Sequence, residues 1–386
     1  MGLAGRIGTV TLLLAATSAV AGPQRPPPRI DDLIRQANAL IAQGDLVGAE
    51  IDVEQEVGLA RQNAAANPAD RGAQRGLLLS LNKLAWLEAA QSDLPDAQMT
   101  YDEAIATAER LAAADPKSAR AAIDVAATLQ GRGDVRASEN DLTGAGRDYA
   151  QSLEFDRQAA AIDPALTEAA EDVAFGYQRL GDIRAAQGDM TGAMANYRAA
   201  LDAFARRAAA DPDSAGAARN LAITQGRIGD RLLAAGDLAG ARQAFEASVA
   251  AMRKAAAADP TSEAAGRDLA IELAKLSFAI RTENDPQSAN APAEEALGIS
   301  RRLAMAHPRS PNAQADLVFA LGRYGDLRFA QHDAAGARDA YAEALHIAKA
   351  LARAQPAAIT LARSVGELTA KLANTPDVGA VSGSSR

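Results

Sequence analysis

The sequence predicts an all-α fold, a solenoid of antiparallel helix hairpins with about seven repeats and a C-terminal capping helix. Two sets of residues recur every 48 positions without drift, and periods of about 20–50 residues are typical of stacked supersecondary units. The composition is 48% hydrophobic but only 4% aromatic. Its apolar share is dominated by alanine, the residue with the highest helix propensity. We therefore expect helices that pack closely through small side chains.

One recurring set consists of prolines and the other of aspartates. The prolines, four of which follow an aspartate, are Pro68, Pro116, Pro164, Pro212, Pro260, Pro308 and Pro356. The aspartates, each followed four residues later by an alanine, are Asp45, Asp93, Asp141, Asp189, Asp237, Asp285 and Asp333. One structural unit therefore spans 48 residues.

Each unit is predicted to contain two helices of about 20 residues, because the recurring residues are suited to helix ends. Proline cannot continue a helix, so each recurring proline ends one. Candidate N-caps of the next helix follow five of the prolines, and they are Asp70, Ser118, Ser214, Ser262 and Ser310. Residues that tolerate a left-handed helix end lie midway along the unit, and they are Gly44, Gly188, Gly236, Asn140 and Asn284. The recurring aspartate then caps the second helix. A row of metal ligands is the alternative, but successive copies would lie about one helix pair apart.

The segments before and after the repeats have a different composition. Residues 1–21 resemble an export signal, with the positive charge of Arg6, an apolar stretch over 7–16, and the small residues Ala19 and Ala21 before a cleavage site at Gly22. That stretch is shorter than the roughly 20 residues of a spanning helix. We expect an exported protein, periplasmic or secreted, with no membrane span in the mature chain.

The remaining boundaries follow from composition and from the period. A proline-rich linker covers 22–29, the repeat domain covers 30–374, and a tail over 375–386 is predicted to be disordered. The domain is expected to begin with a short helix over 30–43 and to end with an unpaired helix over 357–373. The sixth hairpin is irregular, because Pro286 and Pro292 lie where its second helix should begin and Ala293 replaces an aromatic residue. We expect a shortened helix there, with either a weak junction that acts as a hinge or a harmless substitution.

A family resemblance is carried by small and aromatic residues at fixed spacing. In one unit they are Tyr177, Leu180, Gly181, Ala193, Tyr197 and Ala200, and in another they are Leu321, Tyr324, Gly325, Ala337, Tyr341 and Ala344. The pattern resembles the tetratricopeptide repeat, whose unit is about 34 residues long. The extra residues are almost four helical turns, which indicates a variant with both helices lengthened. The resemblance implies a right-handed superhelix whose first helices line a concave groove. An arginine, at positions such as Arg184 and Arg328, stands where the family has a tyrosine.

One stripe along the first helices is the candidate binding surface. Successive copies of its apolar, basic and acidic positions are Leu79, Lys83, Trp86; Phe175, Arg179, Asp182; Ile223, Arg227, Asp230; Ile271, Lys275, Phe278; and Phe319, Arg323, Asp326. The alternative is structural, with Arg179 and Asp182 paired within one helix and the apolar row in the core. Trp86 and Phe278 replace the acid in their copies, and an aromatic residue there is more easily explained by contact with a partner.

Several classes of chemistry lack the residues they need. The chain has no cysteine, which excludes disulfides and a cysteine nucleophile. The three histidines, His307, His332 and His346, belong to different kinds of segment and do not indicate a metal site. No phosphate-binding loop or serine elbow is present. We expect no enzyme activity, no cofactor and no metal.

The remaining function classes are binding functions. Acidic residues outnumber basic ones by 49 to 40, which disfavours a nucleic-acid partner. The first hypothesis is a scaffold that binds a protein or peptide segment of unknown identity in its groove. The alternatives are a protein that binds a glycan polymer of the cell envelope through Trp86 and Phe278 and, less favoured, a hydrolase with an unrecognised site.

Overall fold

The computed structural model describes residues 29–259, 262–354 and 359–376, and within these ranges it contains fifteen helices and no strand. Helices make up 86% of the described residues. The helices are α1 (Ile30–Gln43), α2 (Leu46–Ala66), α3 (Arg71–Ala90), α4 (Leu94–Ala114), α5 (Ala119–Ser138), α6 (Leu142–Ile162), α7 (Thr167–Ala186), α8 (Met190–Ala210), α9 (Ala215–Ala234), α10 (Leu238–Ala258), α11 (Glu263–Thr282), α12 (Asn290–Ala306), α13 (Pro311–Ala330), α14 (Ala334–Ala354) and α15 (Ile359–Asn374). The predicted export signal, most of the predicted linker and the predicted tail beyond residue 376 lie outside the described residues.

Consecutive helices pack against each other along the whole array, forming seven hairpins and a closing helix α15. We call the odd-numbered helices first helices and the even-numbered ones second helices. First helices of neighbouring hairpins also touch directly at α3–α5, α9–α11 and α11–α13, whereas no two second helices approach comparably in the described ranges. The first helices therefore form the more closely spaced, inner layer. The predicted all-α solenoid of tetratricopeptide-like hairpins is confirmed.

The predicted helix caps are confirmed at most positions, with an additional requirement for glycine. The side chain of the recurring aspartate accepts a hydrogen bond from the backbone N–H of a glycine three residues on, for Asp45, Asp141, Asp189, Asp237 and Asp333. A Cβ on Gly144 would lie only 2.0 Å from Asp141 Oδ2, so the close approach depends on glycine. Asp93 has Asp96 at that place and makes no capping bond. Asp285 instead accepts from Ser288 N in a turn before α12.

The predicted left-handed helix ends are confirmed, and the structure adds two that the sequence did not indicate. Gly188 has a φ of +83° and Asn140 one of +64°. Ser92 and His332 occupy the same place with φ values of +69° and +62°. His332 is therefore a turn residue. No group of histidine, aspartate and glutamate side chains within the described ranges could hold a metal ion.

In four hairpins the aromatic residue of the second helix packs on a glycine of the same hairpin. A Cβ on the glycine would lie between 2.5 and 2.7 Å from the nearest ring atom for Gly133–Tyr149, Gly181–Tyr197, Gly229–Phe245 and Gly325–Tyr341. In the sixth hairpin Ala293 replaces the ring and Ser277 replaces the glycine, and Ser277 Oγ donates to Ala289 O at 2.9 Å. The glycine therefore provides room for the ring within these four hairpins. In the second hairpin Ala85 stands at that place, and Tyr101 packs on Gly131 of the next hairpin.

The sixth hairpin has the shortened second helix that its prolines predict. Helix α12 has 17 residues where the other second helices have 21. Pro292 is its third residue, where a backbone N–H has no partner within the helix, so proline costs little there. Gln331 Nε2 also donates to Pro286 O at 2.6 Å. The prolines therefore do not interrupt α12, because the helix begins only at Asn290. The hinge stays a prediction.

The last described residues continue the packed structure beyond α15. The backbone carbonyl of Thr375 accepts from Arg338 at 2.9 Å, and its hydroxyl donates to Lys371 O. Within the described ranges, no helix combines the length and the apolar character that a membrane crossing needs.

Candidate functional site

The predicted stripe lies on the inner layer, but its members differ in exposure. Leu79 is 47% exposed, Trp86 46% and Phe319 43%. Phe175, Ile271 and the corresponding Ile223 are half-buried between neighbouring helices. The apolar row is thus core in the middle of the array and surface towards its two ends.

The basic and acidic rows of the stripe pair with each other between hairpins. Arg179 on α7 binds Asp134 on α5, and Arg227 on α9 binds Asp182 on α7. The predicted pairing of Arg179 with Asp182 inside one helix is therefore wrong. The partners lie 45 residues apart in sequence. The two further pairs are Lys275–Asp230 at 3.0 Å and Lys371–Asp326 at 2.7 Å. We call these four contacts the ionic junctions.

A tyrosine of the second helix completes three of the four ionic junctions. The hydroxyl donates to the same aspartate at 2.6 Å for Tyr149–Asp134, 2.6 Å for Tyr197–Asp182 and 2.7 Å for Tyr341–Asp326. Burial raises the pKa of each of these tyrosines, and the hydrogen-bonded carboxylate raises it further. Each aspartate thus accepts from its own hairpin and from the next one. At the two arginine junctions the paired side chains remain 36–52% exposed, so these charges are neutralised by each other rather than covered.

The stripe is interrupted between the second and third hairpins, where Trp86 stands at the acidic position. The basic position of the next hairpin is Gly131, so no ion pair can form. The ring of Tyr101 fills this space, since a Cβ on Gly131 would lie 2.4 Å from it. Burial raises the pKa of Tyr101 to about 12. Lys83 binds the buried Glu56 at 3.2 Å instead. The Trp86 indole therefore remains available at the surface.

The second interruption lies between the sixth and seventh hairpins, where Phe278 stands at the acidic position. The Arg323 guanidinium lies 4.8 Å from the centroid of the Phe278 ring and 5.2 Å from that of Phe319. Arg281 lies 5.0 Å from the Phe278 centroid. Neither arginine has a carboxylate within ion-pair distance among the described residues. We call the Trp86 and Phe278 contacts the aromatic junctions.

An open cleft adjoins the second aromatic junction, between α13 and α15. Its volume is about 240 Å³, and its apolar walls include Val318, Phe319 and Leu368. Arg323, Glu367 and Lys371 also line it. Lys371 is neutralised by Asp326, whereas Arg323 is not neutralised by any described carboxylate.

A second row of ion pairs connects the N-terminal halves of the first helices. Its members are Arg75–Asp124 at 2.6 Å, Arg219–Asp268 at 2.5 Å and Arg267–Asp316 at 2.5 Å. At the corresponding place between α5 and α7, Ile123 replaces the arginine and leaves Asp172 without such a partner. Burial raises the pKa of Asp172 to about 6, and Glu168 and Glu171 raise it further.

Asp156 on α6 is the other carboxyl group of that region with a raised pKa. Burial raises the pKa of Asp156 to about 7, with a contribution from Asp172. Its Oδ2 accepts from Gln130 at 3.3 Å, and its Oδ1 has no hydrogen-bond partner in the described part of the chain. A pKa near neutrality suits a general acid, but Asp156 is only 1% exposed. A substrate would not reach it without separation of the helices.

Comparisons with known proteins give the fold alone. No protein-family model matches the chain, and no curated protein matches its sequence. Among solved structures, BtubC from P. vanneervenii is 19% identical with a TM-score of 0.52, covering 71% of this chain and 92% of that one. The apo form of RapI is 12% identical with a TM-score of 0.53, covering 83% of this chain and 76% of that one. A tetratricopeptide repeat protein from Parabacteroides merdae is 14% identical with a TM-score of 0.44, covering 88% and 98%.

Proposed function

We propose that this chain is an exported, non-catalytic scaffold that binds a peptide segment of a partner protein along its inner helix layer. The observation that carries the proposal is the exposure of Trp86 at a junction that has no ion pair to maintain. Leu79, about two helical turns before Trp86 on the same helix, is exposed to the same extent. Exposed tryptophan is typical of residues that dominate binding energy at interfaces. Stacked hairpins also supply the extended surface that such binding needs.

We propose no catalytic role because the carboxyl groups best suited to acid or base catalysis lie between packed helices. Burial raises the pKa of Asp156 to about 7 and that of Asp172 to about 6, and both groups belong to a helix interface. Asp156 makes its contact with Gln130 inside that interface. These groups are explained by packing between hairpins, and we assign them no reaction.

Glycan binding is less well supported by the arrangement of the two aromatic residues. Phe278 is half-buried, and the guanidinium groups of Arg281 and Arg323 both stack on its ring. This ring is therefore not free to stack on a sugar. Of these two residues Trp86 remains as an open platform, and one such ring does not favour a polymer over a peptide.

The binding proposal is tested with the mature chain, residues 22–386, and a library of random peptides. The chain has a single tryptophan, so a peptide bound at this site should change the fluorescence of Trp86 directly. We expect Trp86→Ala to weaken the selected peptides at least about tenfold, as truncation of an aromatic anchor does. Met305→Ala is the matched control, because Met305 is 81% exposed on a second helix and should leave affinity unchanged.

Three outcomes would contradict the proposal. The library could yield no ligand, the Trp86 and Met305 variants could bind equally, or envelope oligosaccharides could change Trp86 fluorescence where peptides do not. The last result would replace the peptide by a glycan. Export is tested separately by cell fractionation with sequencing of the mature N-terminus, which we expect at Gly22. Intact protein starting at Met1 in the cytosol would refute export.

A further inference from the structure

The C-terminal end of the inner layer carries two positive charges that the repeat does not neutralise. At the four ionic junctions each cation of the stripe has an aspartate, but Arg323 meets Phe278 instead. Arg281 lies on the same ring, one turn further along α11. Arg323 is exposed. In a chain of net charge −9, two neighbouring guanidinium groups without carboxylates form a local site for an anionic group.

Stacking on the rings prepares Arg323 for such a ligand. A guanidinium between aromatic side chains loses rotamer freedom before any ligand arrives, which lowers the cost of binding. A guanidinium carries its N–H groups in its own plane. This planar set of donors matches a carboxylate, which can accept two parallel hydrogen bonds.

The adjoining cleft favours a ligand that carries an apolar group next to its anionic group. Val318 and Leu368 contribute apolar wall next to Arg323, and Gly322 leaves the space open. Glu367 lies on the α15 side of the cleft and is exposed. It carries the only unpaired negative charge among the residues that line this cleft, so a ligand carboxylate is better placed on the α11–α13 side, at Arg281 and Arg323.

We propose that Arg281, Arg323 and the cleft between α13 and α15 bind an acidic segment of the partner protein. A glutamate or aspartate side chain contacts the two guanidinium groups, and a neighbouring aliphatic side chain enters the cleft. This inference rests on the proposed function and specifies the class of peptide. The ionic junctions cannot serve the same purpose, because their arginines already bind aspartates of the protein.

The test uses the mature chain and a library of random peptides amidated at the C-terminus, so that only side-chain carboxylates can contribute. We expect peptides selected by the wild type to be enriched in glutamate or aspartate close to an aliphatic residue. The double variant Arg281→Gln/Arg323→Gln should lose this enrichment and bind the selected peptides at least about tenfold more weakly. Replacing the peptide's acidic residues by their amides should weaken binding to the wild type equally. The amide peptide should bind the wild type and the double variant alike.

Arg302→Gln is the control for net charge, because Arg302 is an exposed arginine on the outer helix α12. It should change affinity less than twofold. Circular dichroism verifies that the double variant is folded, since neither replaced arginine takes part in an ion pair. The inference is overturned if selected peptides show no acidic enrichment or bind the double variant as tightly as the wild type. If such peptides still depend on Trp86, the proposed function survives this failure. If the library yields no peptide at all, both fail.

Discussion

The fourth and sixth hairpins meet their successors through equivalent positions filled by different residues. Asp182 of the fourth hairpin accepts hydrogen bonds from Tyr197 and Arg227, so the tyrosine hydroxyl has its acceptor and the two opposite charges neutralise each other. Phe278 of the sixth hairpin stacks with Arg323, and the N–H groups of Arg323 have no carboxylate partner among the described residues. The comparison teaches that the repeat itself uses its charges for assembly. Positions available for a ligand arise where the repeat departs from its own pattern.

The largest expected effect comes from breaking an ionic junction at its buried ring. Tyr197 is fully buried on Gly181, and its hydroxyl binds Asp182. We expect Tyr197→Ala to lower the free energy of unfolding by about 3–5 kcal/mol, because it leaves a cavity as well as an unpaired acceptor. Phe278→Ala at the aromatic junction should cost about 1–2 kcal/mol, since that ring is only half-buried. Urea denaturation followed by circular dichroism measures both.

The control for this comparison is Tyr197→Phe, which keeps the ring and removes only the hydroxyl. It should cost about 1 kcal/mol, the usual net value of one hydrogen bond. If Tyr197→Ala costs no more than Tyr197→Phe, the ring does not hold the junction together.

A smaller effect on stability is expected from Asp156, whose carboxyl group is buried without an ion-pair partner, in contrast to the exposed Arg323. The pKa of Asp156 is raised to about 7, whereas an unfolded aspartate titrates near about 3.9. The native state therefore holds the proton more tightly, and its stability falls as pH rises through the window between these two values. We expect Asp156→Asn to remove this loss of stability with rising pH. The melting temperature of the variant minus that of the wild type should therefore increase from pH 4 to pH 8.

Asp172→Asn provides a matched second variant, because the pKa of Asp172 is raised to about 6. Its gain should develop over a lower pH window than that of Asp156→Asn. Asp285→Asn should show no such gain, because its pKa is lowered by the hydrogen bonds from Ser288. A melting temperature difference that is constant with pH would show that Asp156 is ionised in the native state throughout this range.

The smallest effect separates the two kinds of junction by their response to salt. Arg227→Gln removes the half-exposed ion pair with Asp182. Arg323→Gln removes the exposed contact of a guanidinium with the rings of Phe278 and Phe319. Each should cost about 0.5–1 kcal/mol at low ionic strength. Added salt screens the charge of Asp182 and should reduce the cost of Arg227→Gln. The cost of Arg323→Gln should change less. Thermal melts at low and high salt measure this, and equal salt dependence would remove the distinction between the junctions.

The sequence was sufficient for the hairpins because their ends depend on local chemistry. Proline, the serine caps and the recurring aspartate act within a few residues of their position. The end of the proline-rich linker and Gly44 place α1 at its observed bounds in the same way. The glycine three residues after each capping aspartate was an available signal that we did not use. It distinguishes Asp141, which caps, from Asp93, which does not.

The candidate site was less predictable because its contacts connect residues far apart in sequence. Arg179 and Asp182 are adjacent on one helix face, and this proximity suggested a pair within the helix. The actual partner, Asp134, is closer in space because successive first helices lie side by side. The joint loss of the acid at Trp86 and of the base at Gly131 was a signal for pairing across 45 residues. The raised pKa of Asp156 had no such signal, since it depends on burial.

The ionic junctions all have the same direction, and this gives the array two different ends. The cation always belongs to the later hairpin and the aspartate to the earlier one, so each hairpin presents an acceptor to its C-terminal neighbour. Asp326 of the last hairpin would be left open, but Lys371 of the closing helix α15 binds it at 2.7 Å. Lys371 therefore closes the ionic series, while Leu361, Leu368 and Leu372 of the same helix cover the apolar end of the last hairpin. An array shortened by whole hairpins should tolerate the loss when the same closing helix is rejoined to any earlier hairpin that carries both the aspartate and its tyrosine.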